Sequence, residues 1–515
     1  MTGRLVYGAA ALLLAVSLLG LGSATRAVHH YAVEMPGGVP AIVYEPGPAR
    51  PVPGPPRTGE PVPVVVLAHG YMGNTSMMSS LARRLARAGY ASVVLAFRGH
   101  DRNPRPFSTG GFDFEGIHQD LAAAVRFARS QPGFDPERTA VAGHSMGAFT
   151  ALEWASRDPA VDAVIAIAGG APPGGPYPPP NVLLVWASGD PKMLRDGARE
   201  AAASLAGLQR VVLDRTYGEF ARGSAVRASE VDGVDHLTIL YSADMAQRVV
   251  DWLGQTLGPG VDASGATGDG RFGWTGLGLV SALVLLWGLV GLLAPFVPRV
   301  ENPVTTSSLG ALGTLAGAMT AGAVLLAGVD AGSPGGPFGF LPLAVSAPVS
   351  GYQALCGVLL LLVLAHGGAL RPGLRDSRMW TCAGVLLLAT YLMMGTFLEP
   401  YAWRWLTPQR ALHAFVPFAL MLPFFAAFEL LLRGARPWVP IAGRIVILGV
   451  MALATILQLL PFELFLALGG FVVFFALFEA IGYRASRVAP NPWLMGVYQA
   501  GWSALAHASL FPVLA

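Results

Sequence analysis

The pentapeptide Gly143-His144-Ser145-Met146-Gly147 is the stretch of this chain whose residue types and spacing most directly spell chemistry. It follows a short apolar run expected to be a strand (Thr139–Ala142) and opens a run expected to be a helix (Met146–Ser156). A G-x-S-x-G turn in that setting is a nucleophile elbow. Small residues at 143 and 147 let the backbone turn sharply and lift the Ser145 hydroxyl above the sheet edge. The N–H of Met146, at the helix N-terminus, then points to where an oxyanion would form. The bland alternative is an incidental serine in a Gly-rich turn, and the flanking elements argue against it.

Such a turn needs a scaffold, and the first half of the chain supplies one. His30–Val33 and Ala41–Tyr44 look like an opening hairpin, and Val62–Ala68 is a continuous β-branched run, the mark of a strand buried on both faces. Helices are expected at Met77–Ala88, Gly116–Ser130, Arg195–Leu205 and Tyr241–Leu257, with strands at Ala91–Phe97, Val161–Ala168, Asn181–Ala187 and Ala225–Val231. Alternation of this kind builds a mostly parallel sheet covered by helices on both faces. The α/β domain is expected over 28–257.

Composition separates this half from the rest. Of 515 residues 53% are hydrophobic and only 13% charged, and the mean hydropathy is +0.52, too apolar for an ordinary soluble enzyme. A Gly-, Asp- and Ser-rich linker is expected over 258–272. Beyond it, over 273–515, lie apolar segments near 273–297, 304–329, 340–366, 379–398, 411–432, 442–460, 463–482 and 493–514, each close to the roughly 20 residues a bilayer requires. The second half therefore reads as an all-α polytopic transmembrane domain of about seven to eight helices. Pro342 and Pro348 suggest that the third segment is broken or re-entrant, and the Gly313–Gly317 spacing suggests close helix packing. Residues 1–27 hold an apolar run from Leu5 to Gly22 behind Arg4, which is either a signal anchor or a cleaved signal peptide.

Arginine placement supplies an orientation. Starting with Arg4 inside, alternate loops carry Arg299, then Arg371, Arg375 and Arg378, then Arg433, Arg436 and Arg444, then Arg484 and Arg487; the intervening loops carry only Arg404 and Arg410. This positive-inside bias implies a multi-pass protein of the cell membrane with its α/β domain on the extracytoplasmic face. The net charge of +3 is spread over loops, so nucleic acid is not an expected partner, whereas the lipid bilayer is. Lys192 is the only lysine. The two cysteines, Cys356 and Cys382, both fall in apolar spans, which excludes a disulfide framework or a thiol nucleophile in the first half. No metal-ligand spacing or phosphate-cradling loop stands out, so no metal or cofactor is expected.

The segment from about 30 to 257 resembles the α/β-hydrolase superfamily, nearest to its dienelactone-hydrolase and polyester-esterase-like branches. The family's oxyanion strand ends in His-Gly and a bulky residue, matched here by His69-Gly70-Tyr71. The resemblance implies that the Tyr71 N–H is the second oxyanion donor beside Met146, with Met72 as the fallback, and that His69 is a structural turn residue. Family order runs serine, acid, histidine. His236, after the last strand, stands where the base belongs, and Asp190, after Asn181–Ala187, where the acid belongs. Asp196 reads as a helix-surface residue, and Asp235 would point away from the base. Gly169–Pro180 is too short for a helical cap, so an open site is expected. The polar residues of Arg98-Gly99-His100-Asp101 are expected to be structural.

These expectations describe a serine hydrolase of acyl or lipid-like esters, working through Ser145, His236 and Asp190. The same fold could instead cleave peptides or transfer acyl groups, or could serve as the regulatory domain of a transporter or channel. Glu399, Arg404, Arg410, His413, Glu429, Glu463, Glu479 and His507 lie in or beside the spans, with Glu429 and His507 the better intramembrane candidates. For these a structural role is favoured over transport.

Overall fold

The computed structural model describes residues 2–47, 61–108, 114–158, 160–260, 268–300, 307–330, 338–370, 373–460 and 463–514. The middle of the expected linker and Arg371 lie outside the described residues. The chain divides into two compact units. One comprises Leu19–Trp274 with Leu398–Arg404 and Pro512–Ala515; the other comprises Met1–Leu18, Thr275–Phe397 and Trp405–Phe511.

After an N-terminal helix α1 (Thr2–Arg26), the first unit opens with a hairpin, β1 (His29–Met35) and β2 (Val39–Glu45). There follow β3 (Val62–Ala68), α2 (Thr75–Arg87), β4 (Ala91–Leu95), α3 (Phe114–Ser130), β5 (Phe134–His144) and α4 (Met146–Ala155). The remainder is β6 (Ala163–Ile167), β7 (Val182–Ala187), α5 (Lys192–Leu205), β8 (Thr216–Tyr217), β9 (Val226–Val231) and α6 (Ala243–Thr256). At two residues, β8 is too short to leave a periodic signal, and it is the one strand not expected from sequence.

The nine strands form one sheet in the order β1-β2-β4-β3-β5-β6-β7-β9-β8. The six from β4 to β9 pair parallel, and β1, β2 and β8 join antiparallel at the edges. All seven residues of β3 are buried, because helices cover both faces. Val64 and Val66 pack into the layer of α3, α4 and α5, with Leu121, Leu152 and Ala201. Val65 and Leu67, pointing the other way, pack with Leu81 of α2 and Val249 of α6. Parallel strands all present their C-terminal ends to one edge, and that edge is where such sheets bind ligands.

The second unit is helical: α7 (Phe272–Leu293), α8 (Ser308–Asp330), α9 (Ser346–His366), α10 (Ser377–Leu398), α11 (Pro408–Leu412), α12 (Phe415–Leu432), α13 (Trp438–Ile456), α14 (Glu463–Val488) and α15 (Pro492–Leu510). Among the described residues eight helices are long and apolar enough to cross a membrane: α1, α7 to α10, α11 with α12, α13 and α14. The last expected segment, 493–514, is different. Its helix α15 is buried along nearly its whole length and carries Tyr498, Gln499, Ser503 and His507 inward, so it is an interior helix of the bundle.

Three further expectations are corrected. The third segment holds one uninterrupted helix of 21 residues, α9, with Pro348 in its first turn, where a missing N–H costs nothing. Nothing lies within 4 Å of a Cβ built on Gly313 or Gly317, so that pair is not a packing seam. The close approaches are elsewhere: a Cβ on Gly357 would sit 2.3 Å from the Phe424 backbone, and one on Gly496 2.8 Å from the Ala426 Cα. Finally, Arg444, Arg484 and Arg487 are helix residues rather than loop residues. Arg444 is buried and bonds Glu479 at 3.0 Å and Gln499 at 2.7 Å. Arg433 bonds Glu429 at 2.8 Å and Glu479 at 2.7 Å, and Gln499 closes the ring on Glu429 at 2.7 Å.

Candidate active site

Ser145 sits between β5 and α4 with φ 51° and ψ −117°, a conformation that L-residues rarely adopt and that a nucleophile elbow requires. The flanking glycines show why. A Cβ on Gly143 would lie 2.0 Å from the Gly147 carbonyl oxygen, and one on Gly147 2.4 Å from the Ala68 oxygen at the end of β3. The turn is pinned by the Ser145 N–H donating to Ile167 O at 2.8 Å. Ser145 itself is half-buried.

The ends of the strands bring the other residues to it. The Ser145 hydroxyl lies 3.0 Å from His236 Nε2, and His236 Nδ1 lies 2.6 Å from Asp190 Oδ1. Asp190 follows β7, is buried, and is held by the Ala187 N–H, which donates to its Oδ2 at 2.8 Å. Behind His236, His144 Nε2 donates to the His236 carbonyl at 2.8 Å and so fixes the backbone that carries the imidazole. Burial, with His236 beside it, depresses the His144 pKa to about 3, so this imidazole stays neutral. The arrangement can take a proton from Ser145, hold it on an oriented imidazole and return it to a leaving group.

The other carboxylates stand apart. Asp235 Oδ1 accepts the N–H groups of Leu237 and Thr238 at 3.0 and 2.8 Å, closing its own turn. Asp196 is on the outer face of α5, paired with Lys192. His69 has both ring nitrogens occupied: Nδ1–H donates to Gly70 O at 2.8 Å and Nε2 accepts the Phe97 N–H at 3.1 Å. Burial lowers its pKa, which suits a neutral, structural ring.

Met146 is the first residue of α4, where N–H groups have no acceptor within the helix. Tyr71 lies in the short loop 69–74, and this loop runs against Ser145: a Cβ on Gly70 would sit 3.1 Å from the Ser145 Cβ. Met72, the fallback donor, has φ 58°. Tyr71, His100 and Phe107 pack as an aromatic group, with ring centroids 5.5–6.0 Å apart. No helix forms between Ala168 and Asn181, and Tyr177 there is 51% exposed. Among the described residues no cluster of His, Cys, Asp or Glu could hold a metal ion.

Two segments reach this unit from far along the chain, and neither was foreseen. Val513 exchanges backbone bonds with Gly99 and Phe107, each 2.8 Å. Residues 398–404 follow α10, and their carbonyls accept from the first unit's side chains: Ala402 O from Asn74 at 2.6 Å, Pro400 O from Ser79 at 2.7 Å and Tyr401 O from Tyr241 at 2.9 Å. Arg404, expected in a loop between spans, pairs with Asp101 at 2.9 Å. Asp101 is one of the polar residues expected to be structural, and no local signal linked the two.

Comparison with known proteins bears on the first half of the chain. Residues 59–195 match the family described as "Serine aminopeptidase, S33". The quorum-quenching protein AidA of Acinetobacter baumannii is 32% identical over 115 residues, which are 22% of this chain and 36% of that protein. An uncharacterized protein of Mycobacterium tuberculosis is 32% identical over 106 residues, 20% of this chain and 36% of its own length. The chain thus spans about a third of the curated relatives it matches. Among solved structures, an esterase of Pyrobaculum calidifontis is similar at 20% identity with a TM-score of 0.32, covering 48% of this chain and 92% of that one. The matched family is the serine aminopeptidases, whereas the motif resemblance lay toward dienelactone hydrolases and polyester esterases. Both share the same coarser level, and the sheet order, the elbow and the strand-end loops agree with it: the chain carries an α/β-hydrolase fold joined to an all-helical region of apolar helices.

Proposed function

We propose that this protein is a membrane-embedded serine hydrolase that cleaves carboxylic esters of acyl or lipid-like substrates. The observation that carries this reading is the continuous Ser145–His236–Asp190 chain of hydrogen bonds, 3.0 and 2.6 Å, at the C-terminal edge of the sheet. In it, Ser145 Oγ attacks the ester carbonyl while His236 Nε2 takes its proton, and Asp190 stabilises the imidazolium. The Tyr71 and Met146 N–H groups hold the oxyanion. The C–O bond to the alcohol breaks as His236 returns the proton to the leaving oxygen, which leaves an acyl-Ser145. Water, deprotonated by His236, then releases the acid and regenerates Ser145. An open, uncapped site suits acyl chains and lipid-linked esters.

The family match favours one second reading, cleavage of an amide instead of an ester on the same residues. A panel of p-nitrophenyl acyl esters and aminoacyl p-nitroanilides separates the two, with the larger kcat/KM expected on esters. A fluorophosphonate probe tests both at once. It should label the full-length protein in detergent and leave Ser145→Ala unlabelled. Absence of labelling on wild type would sink both readings.

We place the hydrolase unit outside the cytoplasm. The chain leaves that unit at Trp274 and rejoins it at Leu398 after four helices of spanning length, α7 to α10. Even numbers of crossings return a chain to the same side. The loops and helix ends at the opposite turns carry Arg299, Arg375, Arg378, Arg433, Arg436, Arg484 and Arg487, the positive-inside pattern. Both native cysteines are buried. A cysteine replacing exposed Arg222 should therefore react with an impermeant thiol reagent in intact cells or spheroplasts, and one replacing exposed Arg375 only after permeabilisation. The opposite pattern would invert the topology.

A further inference from the structure

The loop proposed to carry the second oxyanion donor is only six residues, 69–74, and it has two anchors. At its start the His69 ring bridges Gly70 O and the Phe97 N–H. The Gly73 N–H closes back on Gly70 O at 2.9 Å, and Met72 takes a positive φ, so the loop is tightly folded between the anchors. At its end stand Asn74, the N-cap of α2, and Thr75, the first residue of that helix. Asn74 Oδ1 accepts the Met77 N–H while its Nδ2 donates to Ala402 O at 2.6 Å. Asp101 Oδ2 accepts both the N–H of Thr75, at 3.1 Å, and its hydroxyl, at 2.5 Å. The other oxygen of Asp101 is held by Arg404 Nε at 2.9 Å. Arg404 Nη1 donates further to Ser76 Oγ at 3.1 Å and to Glu399 Oε1 at 2.8 Å.

We propose that Arg404 is a positioning residue for the hydrolase: through Asp101 and Thr75 it fixes the far end of loop 69–74 and with it the direction of the Tyr71 N–H. The Asp101 side chain is 2% exposed and that of Arg404 12%, so the pair is shielded from water. Burial alone would push the Asp101 carboxyl up; Arg404 and the two Thr75 bonds outweigh it and hold the group below the usual carboxylate range. An ionised Asp101 is what lets one side chain accept from Thr75 and Arg404 together. Loop 69–74 is thus anchored by a residue about 150 positions beyond the last helix of the sheet unit, contributed by the segment between α10 and α11. An isolated 28–257 domain lacks this anchor.

The inference rests on the serine-hydrolase reading, and its test uses the full-length protein in detergent or nanodiscs. Arg404→Met, Arg404→Lys, Asp101→Asn and the Arg404→Met/Asp101→Asn double variant are compared with wild type. The readouts are kcat and KM on a p-nitrophenyl acyl ester and the inhibition constant of an arylboronic acid, which forms a tetrahedral adduct on Ser145. A misdirected oxyanion donor should lower kcat by about 10–100-fold. KM should change little, and boronate affinity should fall in step with kcat/KM. Arg404→Lys should recover part of the loss, and the double variant should be no worse than the poorer single one, because both act through one connection. Arg404→Met with boronate affinity and kcat near wild type overturns the proposal, and so do additive losses in the double variant. Should Arg404→Met fail to fold, Asp101→Asn and Arg404→Lys carry the same comparison, and unchanged boronate affinity in both overturns it equally. A wild-type protein that neither hydrolyses the panel nor takes the fluorophosphonate removes the underlying reading and this proposal together, whereas an active wild type with an indifferent Arg404 removes this proposal alone.

Discussion

Each unit of this protein holds a serine hydroxyl against a histidine ring, and the two pairs differ in everything but distance. Ser145 Oγ lies 3.0 Å from His236 Nε2 in the sheet unit, and Ser346 Oγ lies 2.9 Å from His507 Nδ1 in the helical one. His236 has a carboxylate on its other nitrogen, Ser145 is half-buried on a strained turn, and first-turn N–H groups of α4 lie beside it. Ser346 is fully buried, its second neighbour is the Ser350 hydroxyl at 3.4 Å, and among the described residues no carboxylate pairs with the His507 ring. A hydrogen bond between serine and histidine is therefore not a catalytic statement. Orientation by an acid, donors for the developing charge and access for a substrate make the difference, and each comes from the backbone around the pair.

Buried charge divides the units in the same way. In the sheet unit Asp190 is buried, yet it faces a ring whose far nitrogen meets the hydroxyl of half-buried Ser145. In the helical unit Glu429, Arg433, Glu479, Arg444 and Gln499 bond one another, and Arg444 also lies 3.8 Å from the centre of the Phe428 ring. That network is made of ion pairs and hydrogen bonds within the bundle. It satisfies charges that an apolar bundle would otherwise exclude, which supports a structural role over transport.

Three experiments can break or sharpen this contrast. The largest effect belongs to the serines. Ser145→Ala should abolish ester hydrolysis by the folded, purified protein, whereas Ser346→Ala should stay within about two-fold of wild type, because only the first hydroxyl is proposed as the nucleophile. Equal losses in both would erase the distinction. Next comes the acid. Asp190→Asn should lower kcat by about 10³–10⁴-fold, and Asp196→Asn, on the exposed face of α5 beside Lys192, should do little. The reverse ranking would move the acid to α5. The smallest catalytic effect is expected in the helical network. Arg433→Met leaves Glu429 and Glu479 short of a partner, at a cost of about 3–5 kcal/mol for a broken buried pair. Thermal unfolding in detergent should shift down by several degrees while kcat of the surviving folded protein stays near wild type. A kcat loss with unchanged stability would instead tie this network to the chemistry.

Much of the candidate site was legible because it is local. Five residues suffice to fold the elbow: two glycines that cannot carry a Cβ and a serine in between, following a strand and opening a helix. Strand ends could be located from β-branched runs, and residues just past them, Asp190 and His236, then fall at one edge because parallel strands all end there. Helices long and apolar enough to span a membrane are legible from length and composition, although segment 493–514 was expected among them and is not one.

The features decided by tertiary structure share the opposite property. Arg404 meets Asp101 across some three hundred positions, Val513 meets Gly99 across four hundred, and neither pair has a period or a spacing to betray it. Glu429 and Arg433 form a local i,i+4 pair, but Arg444 and Glu479 join it only when helix packing brings them within hydrogen-bond distance. The helix seams lie at Gly357 and Gly496, not at the Gly313–Gly317 repeat, because close approach depends on which face meets a neighbour and not on the spacing itself. By itself the sequence determined where a nucleophile could be lifted and which segments could cross a bilayer, since both follow from neighbouring residues. Which distant side chains meet near Ser145, and which buried charges pair with one another, required the folded chain, since those energies exist only once remote segments have come together.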